Sequence, residues 1–150
     1  MENYLHIFLI SMIPFIELRG AMIYAAVADL PFFLSFLCCV IGNILPVPFL
    51  IKFSKAVLTY LAKFPKIGWI FQKIIDHGNK KALKIGNMEL LGLFLFVALP
   101  IPGTGAWSAS LVAALLQLRI KKSFFSISLG VVACGIIMGI LTFGVANMLS

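Results

Sequence analysis

The chain has 150 residues, 62% apolar and 11% charged, with a mean hydropathy of +1.11. A soluble domain carries roughly a quarter charged residues, so this composition excludes an ordinary globular enzyme and predicts an all-α integral membrane protein with a single domain over residues 1–150. The net charge of +7 does not indicate nucleic acid, because the basic residues cluster in the Lys52–Lys84 stretch and in Arg119–Lys122 beside apolar blocks, as topology signals and anionic-lipid contacts do.

The first apolar block, Tyr4–Ala28, is preceded by Glu2 and by no Lys or Arg, which reads as a retained segment rather than a cleaved signal. It is too short for two spans and is interrupted at Pro14 and Gly20. It therefore either spans once, or enters from outside as a re-entrant hairpin (residues 4–28) with Ile13–Gly20 as its tip; the hairpin is the reading adopted. Phe32–Ile51 has no acidic or basic residue before its end and suits one transmembrane helix, kinked or shortened near its end by Pro46 and Pro48. Residues 52–86 read as cytoplasmic interfacial helices. The first sets Phe49, Phe53, Val57, Tyr60, Leu61 and Phe64 opposite Lys52, Lys55, Thr59 and Lys63. Pro65 and Gly68 end it, and a second such helix, with Lys73, Asp76 and His77 opposite Ile70, Phe71, Ile74 and Ile75, runs up to Gly86.

Leu90–Leu118 would measure about 43 Å as one straight helix, but Pro100-Ile101-Pro102-Gly103-Thr104-Gly105 breaks it near the middle. Basic residues flank it on both sides, so both ends lie on the cytoplasmic face and the block (90–118) is a second re-entrant hairpin. Residues 123–149 form the last transmembrane helix. The predicted fold is two inverted repeats, each a re-entrant helical hairpin plus a transmembrane helix, joined by cytoplasmic amphipathic helices. At an offset of 88 residues Pro14 falls on Pro102, Ser35-Phe36 on Ser123-Phe124 and Gly42 on Gly130. Broken segments at matching positions of two halves point to a transport site near the midplane.

Within that frame Glu17 and Arg19 are the costly residues, each about 2.5–3.5 kcal/mol at the centre of a membrane helix on insertion scales. In a regular helix they would project about 200° apart, whereas an extended tip points both the same way, with Gly20 letting the chain turn back. Glu17 is the candidate proton or cation acceptor, and Arg19 the candidate binder of an anionic headgroup. At the other tip Gly103 and Gly105 uncover backbone N–H groups and Thr104 adds a hydroxyl, just before a helix starting near Ala106. That is an anion site or a partner for Glu17. Trp107 suits a cavity wall or packing, Asn43 an interhelical hydrogen bond, and Gly135 with Gly139 a close helix contact. Cys38, Cys39 and Cys134 read as packed thiols. No nucleophile with a base, no paired acids and no His-Glu metal spacing is visible, so neither an enzyme, a cofactor nor a metal site is expected.

Glu17-Leu18-Arg19-Gly20-Ala21 followed by Pro100-Ile101-Pro102-Gly103-Thr104-Gly105-Ala106-Trp107 resembles the small multidrug export protein family, over nearly the whole chain. That family is similar in turn to the DedA, or SNARE-associated, membrane proteins. The resemblance implies two inverted hairpin-plus-helix repeats in a prokaryotic cytoplasmic membrane, proton-dependent transport, and movement of lipid carriers such as undecaprenyl phosphate. It carries over Glu17, Arg19, Gly20, Pro100, Pro102, Gly103, Thr104, Gly105 and Trp107 as substrate- or proton-binding residues. The wider DedA pattern has further arginines in its second hairpin, where this chain is uncharged. The expected protein is a small, proton-coupled, homodimeric transporter of a lipophilic or lipid-linked substrate. The competing expectation is a non-transporting assembly or scramblase factor in which Glu17 and Arg19 are structural.

Overall fold

The computed structural model describes residues 2–82 and 87–149, and the described residues are all helical or in turns and loops. The helices are α1 Glu2–Met12, α2 Glu17–Val27, α3 Phe32–Ile44, α4 Val47–Leu61, α5 Gly68–Ala82, α6 Asn87–Ala98, α7 Ala106–Leu115 and α8 Ile120–Leu149. α3 and α4 continue one another as an apolar stretch, Phe32–Leu61, which like Ile120–Val145 of α8 is long and apolar enough to cross a membrane. α1, α2, α6 and α7 have 10 to 12 residues each. At 1.5 Å per residue none reaches the ~30 Å of a hydrocarbon core. Lys84 and Gly86, placed by the sequence at the end of the basic stretch, lie outside the described residues.

α1 packs on α2 and α3, α2 on α3 and α8, α6 on α8, and α7 on α4 and α8. Small residues line the inner faces of the short helices, Ala21 and Ala25 on α2 and Ala106, Ala109 and Ala113 on α7, and they meet Ile127, Val131 and Cys134 of α8. Small side chains let helix backbones approach where lipid gives no hydrophobic drive between helices. The outside is apolar as well: Phe15 is 91% exposed, Val27 83% and Ile140 69%. Such a surface is stable against lipid, not water.

The two halves share their local structure to the level of single backbone hydrogen bonds. α2 ends with Leu30 N–H donating to the Ala25 carbonyl (3.0 Å) and Asp29 N–H to Ala26 (3.3 Å), with Asp29 left-handed at φ 52°. α7 ends with Leu118 N–H donating to Ala113 (2.9 Å) and Gln117 N–H to Ala114 (3.1 Å), with Gln117 at φ 53°. Both are Schellman endings, and every residue of the second lies 88 positions after its counterpart. The tips correspond too: Pro14-Phe15 and Pro102-Gly103 each put a left-handed residue after proline, at φ 74° and 88°. Upstream of the tips the register becomes 86, because the second tip is two residues longer; Ile7 and Ser11 of α1 then match Leu93 and Val97 of α6, all four buried. A side chain on Gly42 would collide with the Phe8 carbonyl and one on Gly130 with the Phe94 carbonyl, so the matched glycines make matched helix contacts.

Several expectations change. The first tip is not an extended run over Ile13–Gly20 but a turn at 13–16, after which Glu17, Arg19 and Gly20 are already helical. Gly20 turns nothing back; it leaves room for the Ile16 side chain one turn earlier. The break near the end of Phe32–Ile51 comes at Leu45-Pro46 and shortens the first helix, with residues 47–51 opening α4, where Pro48 is tolerated in the first turn. Phe49, Phe53 and Tyr60 on the aromatic face of α4 are exposed, and a face not singled out in the sequence, with Val47, Ile51, Ser54 and Leu58, is buried. Gly135 and Gly139 receive the rings of Phe36 and Phe32 rather than another helix backbone.

Gly42→Ala and Gly130→Ala should each destabilise by about 1–3 kcal/mol through overpacking. Gly92→Ala, where an added methyl meets nothing within 4 Å, should stabilise by roughly 0.5–1 kcal/mol on helix propensity. Thermal unfolding in detergent distinguishes the two responses.

Candidate functional site

A broken helix exposes carbonyls at the end of its first half and N–H groups at the start of its second. Between α6 and α7 those groups belong to residues 99–107, and no regular helical partner serves them. The first tip does so instead. Arg19 donates from Nη1 to the Ile101 carbonyl (2.6 Å), and from Nη2 to the carbonyls of Leu99 (2.9 Å) and Thr104 (3.1 Å) and to the Thr104 hydroxyl (3.1 Å). The Thr104 hydroxyl lies within donating distance of the Ile101 (2.8 Å) and Leu99 (3.0 Å) carbonyls. Glu17 takes the other end: its Oε1 accepts the Trp107 N–H at 3.2 Å, and the carboxylate occupies the space that a side chain on residue 105 would fill. A carboxylate at the N-terminus of α7 also meets the positive end of the helix dipole. The lock is reciprocal, because the Trp107 indole N–H donates to the Met12 carbonyl (3.1 Å) at the end of α1.

Glu17 and Arg19 act together for a reason other than an extended backbone. Glu17 is the first residue of α2 and is left-handed, at φ 50°, so its side chain does not leave in the direction of a helix-interior residue. Both residues consequently line one buried cavity of ≈ 10 Å³ with Leu18, Asn43, Val97, Gly105, Ala106, Val131 and Cys134. A separate apolar groove of ≈ 400 Å³ runs between α4 and α7, lined by Leu50, Phe53, Ser54, Val57, Leu58, Trp107, Leu111 and Leu115.

Of the residues singled out in the sequence, the structure brings Glu17, Arg19, Thr104, Gly105 and Trp107 together. Pro100, Pro102 and Gly103 shape the second tip without touching the carboxylate: Thr104 N–H donates to the Ile101 carbonyl (3.2 Å) across a turn with Pro102 and left-handed Gly103 at its centre. Gly20 lies one helical turn away from the contact. Arg19 does not offer the bidentate face expected of a headgroup binder, since both such edges of a guanidinium need Nη2 and that nitrogen is committed to the tip. Sequence reasoning missed Asn43 and Cys134 as members of the site. Asn43 carried a signal, a lone amide in an uncharged apolar run; Cys134 carried none.

These features define an all-helical membrane protein whose polar groups gather where two broken helices meet. A family model described as "Putative small multi-drug export protein" matches residues 17–137, and the chain belongs to that family. No curated protein and no solved structure matches the chain.

Arg19→Lys should lower stability by about 1–3 kcal/mol, because one ammonium cannot reach four acceptors spread along a tip. Gly105→Ala should cost at least as much by displacing the Glu17 carboxylate. Both are read by thermal unfolding against wild type.

Proposed function

We propose that the protein is a small secondary transporter that moves a lipophilic substrate across a prokaryotic cytoplasmic membrane, coupled to protons at Glu17. The observation that carries this reading is the double duty of Trp107, which holds Glu17 by its backbone N–H and lines the apolar groove. A substrate that shifts Trp107 changes the hydrogen bonding of the carboxylate, and protonation of the carboxylate loosens Trp107. That is a physical link between occupancy of the groove and the state of an acid. A groove of this volume falls in the range of small-molecule sites, and its lining offers one hydroxyl, Ser54. With Nη2 of Arg19 committed, an uncharged or cationic lipophile suits the site better than a polyprenyl phosphate.

In this reading the halves are inverted repeats. α6 and α7 enter from the cytoplasmic side, between the basic stretches, and α1 and α2 enter from outside as the second re-entrant pair. The recurrence of tip, Schellman ending and glycine contact supports it. The Lys52–Lys84 stretch rests on the anionic cytoplasmic leaflet. Two copies form the transporting unit in this reading.

Glu17→Gln should abolish proton-driven flux of a lipophilic cation in proteoliposomes while leaving the fold intact, because an amide oxygen still accepts the Trp107 N–H. Unchanged flux would remove the coupling role. A second reading, a non-transporting assembly factor, is favoured by the way Arg19 is spent on backbone. It requires that no lipophile stabilise the wild type and that Leu111→Trp, which fills the groove, change no thermal shift.

A further inference from the structure

Asn43 is 3% exposed, and its Oδ1 has no hydrogen-bond partner in the protein. An unpaired amide oxygen in an apolar interior is costly. The Nε of Arg19, although the rest of the guanidinium is bonded, is likewise buried without a partner. One group is an acceptor and the other a donor, and both residues line the same ≈ 10 Å³ cavity with the Glu17 carboxylate. That volume is about one water-sized sphere. The chemistry of the walls matches a water's needs: Arg19 Nε–H to donate to it, and Asn43 Oδ1 and a Glu17 oxygen to accept its two hydrogens. Rotating the amide end for end would present a donor instead, which a water also serves. The remaining walls are apolar or weakly polar, with Cys134 the one other titratable group.

We infer that this cavity is a single-water site and that Asn43 is a positioning residue for Glu17, acting through that water. The inference builds on the proposed role of Glu17 and adds what holds its carboxylate in place between proton uptake and release. The placement of the site supports it: Glu17 and Gly105, Leu18 and Ala106, and Asn43 and Val131 are pairs 88 residues apart, so the water lies where equivalent positions of the two halves meet.

A test follows from the opposite responses of a wet and a dry site. Asn43→Leu keeps the bulk and removes the acceptor; Asn43→Ser keeps a hydroxyl and leaves space for a further water. With a water site, Asn43→Leu should lower the melting temperature by several degrees and reduce gradient-driven flux of a lipophilic cation at least tenfold, and Asn43→Ser should restore both toward wild type. An amide that only fills space gives the reverse order, with Leu as stable as wild type and Ser the weaker, and that result overturns the inference. Density for an ordered water against Arg19 Nε in an experimental structure of the wild type is expected; a dry cavity would also overturn it. The stability order and the density stand without any transport measurement. Absence of flux in every variant, wild type included, therefore refutes the transporter reading and leaves the water site to be judged on them.

Discussion

The structure depends on satisfying the backbone of an apolar helix pair that is broken between α6 and α7. An interruption at residues 99–105 leaves acceptors on one side and donors on the other, and each unserved group would cost kilocalories in hydrocarbon. One short segment answers both needs. Arg19 supplies donors to the carbonyl side and Glu17 an acceptor to the N–H side. Each charge also meets the helix end of opposite partial charge. Glu-x-Arg is therefore a two-headed plug, and its two charges are stabilised less by each other than by the ends of a neighbouring helix pair.

The rest of the core is arranged to let that plug reach its target. Alanines on the inner faces of α2 and α7 bring the short helices close to α8. Gly42 and Gly130 admit the carbonyls of Phe8 and Phe94, which fixes the first helix of each half against its long partner. Symmetry holds for backbone and packing but fails for chemistry. At each matched pair around the cavity the first half supplies the larger or more polar side chain and the second half the space: Glu17 over Gly105, Leu18 over Ala106, Asn43 over Val131.

Much of this architecture was legible in the sequence. Segment lengths, prolines and basic flanks located both broken blocks and the start of α7, because length and charge act without tertiary context. The offset of 88 rested on a few identities, yet it carries whole turns and caps, since backbone geometry recurs even where side chains have diverged. What the sequence misplaced depends on contacts made across the fold. On α4 the periodicity picked out the aromatic face, which stays exposed, and gave no sign that another face, Ile51 and Ser54 among it, packs on α7. The left-handed backbone of Glu17 has no signature in its residue type. Arg19 as a headgroup ligand was a sound expectation for a free guanidinium, and it failed because carbonyls 80 residues away claimed it.

The collision between residue 105 and residue 17 has a historical implication. A side chain on 105 and a carboxylate on 17 exclude one another in space. If the halves descend from one duplicated segment, an acid could settle in the first copy only once the equivalent position of the second had lost its side chain. The two sites are thus epistatic in a fixed order, and that order, more than any single residue, separates this arrangement from a symmetric ancestor.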